Sequence, residues 1–467
     1  MRAVAHGFVV ALAAATVPFT GSAAAATPSV QTIEAGGATG QVIDLLFVAE
    51  GYTDKDQALF IHDVKNVYEA LVSAGVYATV RPLLAAHALF VPSNQSGSDH
   101  PSLGVERDTA FDSTFDTNGI ARLVTANTAK VLSTANAQFW AFDVAILIVN
   151  DPRYGGSGGS VPMISVHPQA AGILRHELAH NLAGLADEYT APYPGYPAGD
   201  DEPNVAATAH LAPLPWQIWV ESTTAVPTPI EVATGPFTPI GAYEGARYQA
   251  KGMFRPAPTC LMRDLADDFC PVCGEAITIA VAADSVMLRG HSPVAGLISC
   301  GVGSCPVFAV STAALPAITV RWWLDGVLMS TGDAWSVDAG LSGSHVLRVD
   351  VHDATLAVRN DPASALVESH QWRLEIDARG VPVDAGRRSA DVTGDSTTAS
   401  RADPDADGGG PTADTTTTAG RGGVPRRDSG CDATPLGPRD AAPQWPILFA
   451  GAALAWFRWR AAALREE

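Results

Sequence analysis

Basic residues are scarce in this sequence. Of its 467 residues, 29 are Lys or Arg and 49 are Asp or Glu, which gives a formal net charge of −20. Because nucleic acid is bound through clustered positive charge, and no basic stretch offsets this balance, the sequence argues against a nucleic-acid partner. Apolar residues make up 47% of the chain and charged residues 17%, so a sizeable core is expected.

Apolar runs of membrane-spanning length are also scarce. The first apolar run, residues 7–19, follows Arg2, is too short to cross a bilayer and precedes small residues at 22–26. This order is typical of an export signal, which we predict over residues 1–26. The alternative is an ordinary buried helix.

The C-terminal part is poor in apolar residues until its end. Residues 379–444 are rich in Asp, Thr, Gly and Pro and predict a disordered linker. Residues 445–467 carry an apolar segment followed by arginines, and about 20 of these residues would suffice for a membrane helix. Together with Cys431 upstream, the segment resembles the sorting tails of myxobacterial surface proteins. A simple membrane anchor is the alternative, and either predicts an exported protein at the cell surface.

Six cysteines are few for a chain of this length. In an exported protein cysteines are more often paired than free, and Cys300 and Cys305 flank a short loop that can close a local disulfide. Cys260, Cys270 and Cys273 form an odd group, so any bridge among them leaves one thiol over. A zinc site there would have three candidate ligands, whereas structural zinc sites normally have four.

Strand and helix patterns alternate in the first half of the chain. Runs with strand character lie at residues 41–49, 86–92 and 142–149. Helical spacing occurs at residues 54–74 and 118–135. This alternation predicts an α/β layer architecture for the domain that we place at residues 27–280.

Short β-rich segments separated by turn residues dominate the chain after that point. They lie at residues 277–288, 317–323, 345–352 and 368–376. Their spacing predicts an all-β, immunoglobulin-like sandwich over residues 281–378.

The segment at residues 173–189, ILRHELAHNLAGLADEY, carries the candidate chemistry. His176 and His180 are four residues apart, so on a helix both imidazoles leave one face and can bind one metal ion, for which zinc is favoured. Glu177 lies beside them, in position to take a proton from water. A catalytic zinc ion needs a third ligand, which Asp187 or Glu188 can supply after a turn at Gly184; we favour Asp187.

This segment resembles the signature of the IgA-peptidase-type zinc metallopeptidases. Four further blocks resemble the same family, at residues 50–53, 93–101, 150–159 and 255–263, although Glu50 stands where Asp is more usual. The resemblance covers about residues 41–280 and implies a zincin-like α+β fold. It also implies zinc held by His176, His180 and Asp187, Glu177 as general base, and Met262 either beneath the metal or in the core.

The predicted reaction is therefore hydrolysis of a peptide bond in a protein or peptide substrate. The developing oxyanion needs a second stabilising group, for which Tyr189 is our candidate, with Tyr243 and Tyr248 as alternatives. Residues 155–167 are a candidate edge strand for binding substrate backbone, or else a tight connector. Three other functions stay open: a zinc hydrolase of non-peptide substrates, a surface adhesin, and a purely structural zinc site.

Overall fold

The first sheet of the protein is built around three strands whose residues are buried throughout. The computed structural model describes residues 27–193, 199 and 202–378, so the predicted export signal, linker and membrane helix lie outside the described residues. The six strands are β1 Ser29–Glu34, β2 Ile43–Glu50, β3 Leu84–Phe90, β4 Val144–Val149, β5 Gly156–Ser157 and β6 Met163–Ser165. Their order is β1-β3-β2-β4-β6-β5, and β2, β3, β4 and β6 are parallel.

Helices cover both faces of this sheet, as the apolar runs of parallel strands require. The helices are α1 Gln57–Val72, α2 Gly75–Val80, α3 Thr128–Gln138, α4 Ala170–Ala183 and α5 Pro271–Ala283. Phe47 of β2 belongs to a core cluster with residues of α1, α2, α4 and α5. Its neighbours Leu46 and Val48 belong to the opposite cluster, with Val131 of α3. The predicted α/β layers are therefore present.

Shorter elements connect these layers. Five single 3₁₀ turns lie at Arg81–Leu83, Pro101–Leu103, Thr117–Gly119, Gln217–Trp219 and Ile230–Val232. A hairpin of β7 Tyr243–Ala246 and β8 Gln249–Arg255 precedes α5.

The residues after α5 form two further sheets. The strands are β9 Leu288–Ser292, β10 Leu297–Gly301, β11 Phe308–Thr312, β12 Ile318–Leu324, β13 Val327–Thr331, β14 Ala334–Trp335, β15 Gly343–Asp353 and β16 Val367–Asp377. One sheet has the order β10-β16-β15-β12-β13 and the other β14-β11-β9. Trp322 and Trp372 stack at 5.8 Å between ring centroids, and Phe308 of the smaller sheet meets Trp372 edge-on. The immunoglobulin-like assignment and its boundaries stay predictions.

Two predicted elements differ from the structure, and one disulfide agrees with it. Residues 277–288, predicted as a strand, are mostly the second half of α5, because the helix begins at Pro271 and its β-branched residues pack into the core. The helix predicted at 118–135 begins at Thr128, where the Asn127 side chain accepts the Lys130 N–H. The predicted Cys300–Cys305 disulfide is confirmed. Among the described residues, no helix is long and apolar enough to cross a membrane.

A buried carboxylate joins α5 to the β-rich part. Glu275 is 8% exposed, and its Oε2 accepts the indole N–H of Trp219 at 2.6 Å. Its Oε1 accepts the backbone N–H groups of Arg359 and Asn360, the latter at 2.9 Å. The guanidinium of Arg359 lies 4.0 Å over the Trp219 ring. Three donors from two parts of the chain thus depend on one side chain.

We expect Glu275→Ala to lower the free energy of unfolding by about 2–4 kcal/mol, because it leaves buried donors without their charged acceptor. Urea unfolding followed by tryptophan fluorescence measures this loss. The matched control is Glu221→Ala, which removes an exposed carboxylate from the same neighbourhood and should change the value by no more than about 0.5 kcal/mol. Equal effects of the two substitutions would contradict the assigned role of Glu275.

Candidate metal centre

The candidate centre is built on helix α4, which follows the parallel strand β6. His176 and Glu177 are both 1% exposed, so α4 carries them into the interior of the protein. The helix ends at Gly184, whose φ of 60° is left-handed and favours glycine. The Gly184 N–H donates to the carbonyl of His180 at 3.1 Å, and the chain turns back past the imidazoles. This turn brings Asp187 to the histidine pair.

Three donor atoms from these residues converge on one point. His176 Nε2 lies 3.1 Å from Asp187 Oδ1, and His180 Nε2 lies 3.2 Å from His176 Nε2. His180 Nε2 and Asp187 Oδ1 are 3.5 Å apart. Ligands at metal distances of about 2.0–2.1 Å in a tetrahedral arrangement are about 3.3 Å from one another, so the three spacings fit a single ion.

The second nitrogen of each imidazole is held by backbone. His176 Nδ1 donates to the carbonyl of Leu261 at 2.9 Å, and His180 Nδ1 donates to the carbonyl of Leu185 at 2.5 Å. A proton on Nδ1 leaves a lone pair on Nε2 in the neutral ring, which is the form that binds metals. Three lone-pair atoms crowded together repel one another unless a cation lies between them. The donor set therefore fits a metal ion.

The electrostatics of the centre lead to the same conclusion. Burial opposes the charged form of His180, but the Asp187 carboxylate, the Glu177 carboxylate and the Leu185 carbonyl together outweigh burial and raise the pKa of His180 to about 9. Burial likewise opposes the Asp187 carboxylate, but His180 and His176 outweigh it and lower the pKa of Asp187 to about 2. Burial lowers the pKa of His176. Without a metal ion the centre therefore attracts a proton, so it is a site that binds positive charge.

Asp187 and its neighbour Glu188 point to different places. Asp187 is fully buried, and its Oδ2 accepts the hydroxyl hydrogen of Tyr248 at 2.8 Å. Glu188 turns away, and its Oε1 accepts from the Asn204 amide at 3.0 Å. Of the two carboxylates left open by the sequence, Asp187 is the one that the structure brings to the histidines.

Glu177 is a buried carboxylate with neither oxygen satisfied. Both oxygens are buried and have no hydrogen-bond partner in the part of the chain that the structure describes. Burial is the main cause that raises the pKa of Glu177 to about 8. An unsatisfied buried carboxyl group calls for an explanation, and one on the helix of the candidate metal centre is suited to exchanging protons with water or substrate.

The tyrosines predicted near the centre have separate positions. Tyr189 is 2% exposed, and its ring stacks on that of His176 with 6.1 Å between centroids. Tyr248 reaches Asp187 directly, whereas the hydroxyl of Tyr243 donates to the carbonyl of Pro239 at 2.8 Å. The sequence favoured Tyr189. The hydrogen bond from Tyr248 to Asp187 could not be predicted from the sequence, because 61 positions separate the two residues.

Asn204 is a further residue that the sequence did not single out. Its amide accepts the backbone N–H of Ala186 at 2.8 Å and donates to the Ala186 carbonyl at 2.9 Å. This pairing fixes the backbone just before Asp187.

The predicted edge strand, by contrast, is covered: β6 lies between β4 and β5, and the Gly156 N–H of β5 donates to the Arg122 carbonyl at 3.1 Å.

Comparison with known proteins identifies one family. The sequence profile of the family described as IgA Peptidase M64 matches residues 31–235 and 232–281. The match includes α4, the turn at Gly184, Asp187 and the segment that carries Leu261. A search of curated protein sequences finds no relative of this chain.

We expect Tyr248→Phe to weaken metal binding by about 10- to 100-fold, because a hydrogen bond from a neighbouring group orients a ligating carboxylate. Competition with a chromophoric chelator measures the affinity. Tyr243→Phe is the matched control, since it removes a hydroxyl that donates to the backbone carbonyl of Pro239, and it should leave the affinity unchanged. A Tyr248→Phe variant with full affinity would contradict the contribution of Tyr248 to the centre.

Proposed function

This chain belongs to the IgA peptidase M64 family and is therefore a metallopeptidase; from that premise we propose a zinc-dependent endopeptidase with ligands His176, His180 and Asp187. The observation that carries this proposal is the convergence of three donor atoms beside the buried carboxyl group of Glu177. Two imidazoles and one carboxylate with an open position form a donor set that zinc takes in hydrolases. Bound there, zinc would polarise the scissile carbonyl and make water a nucleophile near neutral pH.

Glu177 is the general base in this proposal. It takes a proton from the attacking water and later delivers it to the leaving amine, so one carboxyl group serves both proton transfers. Its oxygens have no competing hydrogen bond in the described part of the chain, which leaves them available to water or substrate.

The remaining residues hold the reacting groups in place. The Leu261 and Leu185 carbonyls fix the imidazoles, and the Tyr248 hydroxyl fixes the Asp187 carboxylate. Tyr189, stacked on His176, is proposed as a group that stabilises the oxyanion. Because Tyr248 already bonds to Asp187, it is better suited to positioning that ligand than to meeting the substrate.

The proposed location is the cell surface. It depends on the export signal predicted at residues 1–26 and the apolar, arginine-flanked segment at 445–467. The proposed substrate class is protein or peptide, without commitment to immunoglobulin. An adhesin with a vestigial metal centre would have no need to keep Glu177 buried and unsatisfied on α4.

The test is Glu177→Gln compared with wild type on a complex protein mixture, with new N-termini identified by mass spectrometry. We expect the variant to keep its zinc and to cleave at a rate lower by about 10²- to 10⁴-fold, because the general base is lost. Glu106→Gln, which changes an exposed carboxylate, should cleave like wild type.

Two results would contradict the proposal. One is a zinc-loaded wild type that generates no new N-termini in the mixture. The other is a Glu177→Gln variant that cleaves as fast as wild type.

A further inference from the structure

A second cluster of potential ligands lies next to the candidate metal centre. The sulfur atoms of Cys260, Cys270 and Cys273 lie within 4.8 Å of one another, and all three residues are fully buried. The sulfurs of Cys260 and Cys273 are 3.6 Å apart, well beyond the roughly 2.05 Å of a disulfide bond. None of the three cysteines is in a disulfide. The odd group noted in the sequence is therefore gathered into one place.

The start of helix α5 favours negative charge on Cys270, whereas burial raises the pKa of the Cys260 and Cys273 thiols. Cys270 stands at the N-cap position of α5 without a side-chain capping hydrogen bond, Pro271 occupies the first helical position, and Cys273 follows in the first turn. The positive end of the helix dipole favours negative charge on sulfur there. Cys260 Sγ accepts the backbone N–H of Cys270 at 3.3 Å. Structural metal sites often contain two cysteines separated by two residues, together with a third cysteine from another loop.

Glu188 supplies the fourth potential donor. Its Oε1 lies 3.7 Å from Cys273 Sγ, and the residue is fully buried. Its Oε2 is buried and has no hydrogen-bond partner among the residues that the structure describes. A buried carboxylate oxygen without a partner costs free energy, so an ion beside it would satisfy an otherwise unexplained group.

We propose that Cys260, Cys270 and Cys273 form a second metal site, which holds a structural zinc ion, and that Glu188 moves in as its fourth ligand when the ion binds. Zinc bonds of about 2.3 Å to sulfur place tetrahedral sulfur ligands about 3.8 Å apart, close to the 3.6 Å between Cys260 and Cys273. Glu188 lies beside this group, with its Oε1 3.7 Å from Cys273 Sγ, but its carboxylate must shift to come within ligand distance of all three sulfurs. Soft thiolate donors favour zinc over the hard cations that bind oxygen.

The surrounding charges accommodate such an ion. Arg255 and Arg263 are the cations that act on the Glu188 carboxylate. Arg263 donates to the Glu188 carbonyl at 2.8 Å, and Arg255 donates to the Pro258 carbonyl at 3.0 Å. The formal charges of three thiolates, one carboxylate, one divalent ion and these two guanidinium groups sum to zero. Without a divalent ion, ionised sulfurs would leave a large uncompensated negative charge in the interior.

The second site is connected to the first through two short backbone segments. Asp187 and Glu188 are consecutive, and they face the histidine centre and the cysteine cluster respectively. Cys260 begins the segment whose Leu261 carbonyl orients His176, and the next residue, Met262, accepts the Glu188 N–H at 2.9 Å. An ion in the cysteine cluster would therefore fix both the third ligand and the carbonyl that orients the first.

The competing arrangement is a disulfide between two of the three cysteines. It would leave one thiol and the Glu188 carboxylate buried together without an ion to satisfy them. Thiol counting separates the two arrangements. The chain is denatured without reduction and treated with a chelator to remove metal. If the metal site is present, Cys260, Cys270, Cys273 and Cys431 should all react as free thiols. Two fewer reactive thiols would mean that a disulfide forms, and would overturn the proposal.

The direct test is the metal content of the purified full chain, measured by plasma mass spectrometry. We expect about two zinc equivalents in wild type and about one in the His176→Ala/His180→Ala variant, because that variant keeps the thiolate site. Cobalt substitution gives a second readout that needs no cysteine variant. Thiolate ligands produce an intense sulfur-to-cobalt charge-transfer absorption, which we expect in both wild type and the histidine variant.

A Cys270→Ser/Cys273→Ser variant completes the set. We expect this variant to lose the charge-transfer absorption. We also expect its affinity for zinc at the histidine centre to fall by at least about 10-fold, since a supporting group has been lost. A wild type that binds about one zinc and shows no charge-transfer absorption would overturn the second site. If the cysteine variant binds zinc at the histidine centre as tightly as wild type does, the second site has no role in positioning the histidine centre.

The outcome is independent of the proposed function. If the peptidase proposal fails, the sulfur-to-cobalt absorption of the histidine variant still decides the second site. If the second site fails, zinc bound by the histidines and cleavage dependent on Glu177 are unaffected.

Discussion

Lone-pair donors that crowd together in a buried place repel one another unless a cation lies between them. His176, His180 and Asp187 present three such atoms no more than 3.5 Å apart, and the backbone already holds the other nitrogen of each ring. The parallel sheet and α4 deliver two of these atoms and the turn at Gly184 delivers the third. Because burial removes water as an alternative partner, a metal ion bound there would help to stabilise this packing.

The same principle explains the arrangement around the centre. The carbonyl oxygens of Leu185 and Leu261 come from two different segments of the chain, and Asn204 holds the backbone next to Asp187. These supports come from loops that the sheet and helices place side by side, and they are far apart in sequence. The proposed thiolate site extends this logic, because it would bind the two segments that carry Asp187 and Leu261 into one unit.

The sequence was informative where local pattern determines structure. Buried apolar runs predicted β2, β3 and β4, and the four-residue spacing of the histidines predicted a shared helix face. The strand predicted at residues 277–288 was wrong. The β-branched residues there suggested a strand, but most of them continue the helix that begins at Pro271 and are buried against α4. The bond of Tyr248 to Asp187 and the convergence of the cysteines depend on tertiary packing, so no spacing in the sequence could reveal them. Domain boundaries and the cell-surface location stay predictions.

Crystallography at the zinc absorption edge shows whether one metal ion lies between His176, His180 and Asp187. We expect an anomalous peak about 2.0–2.2 Å from Nε2 of each histidine and from a carboxylate oxygen of Asp187. The Glu188 carboxylate should lie outside this coordination sphere. A peak ligated by Glu188 instead of Asp187, or zinc-soaked crystals with no peak between the histidines, would contradict the account.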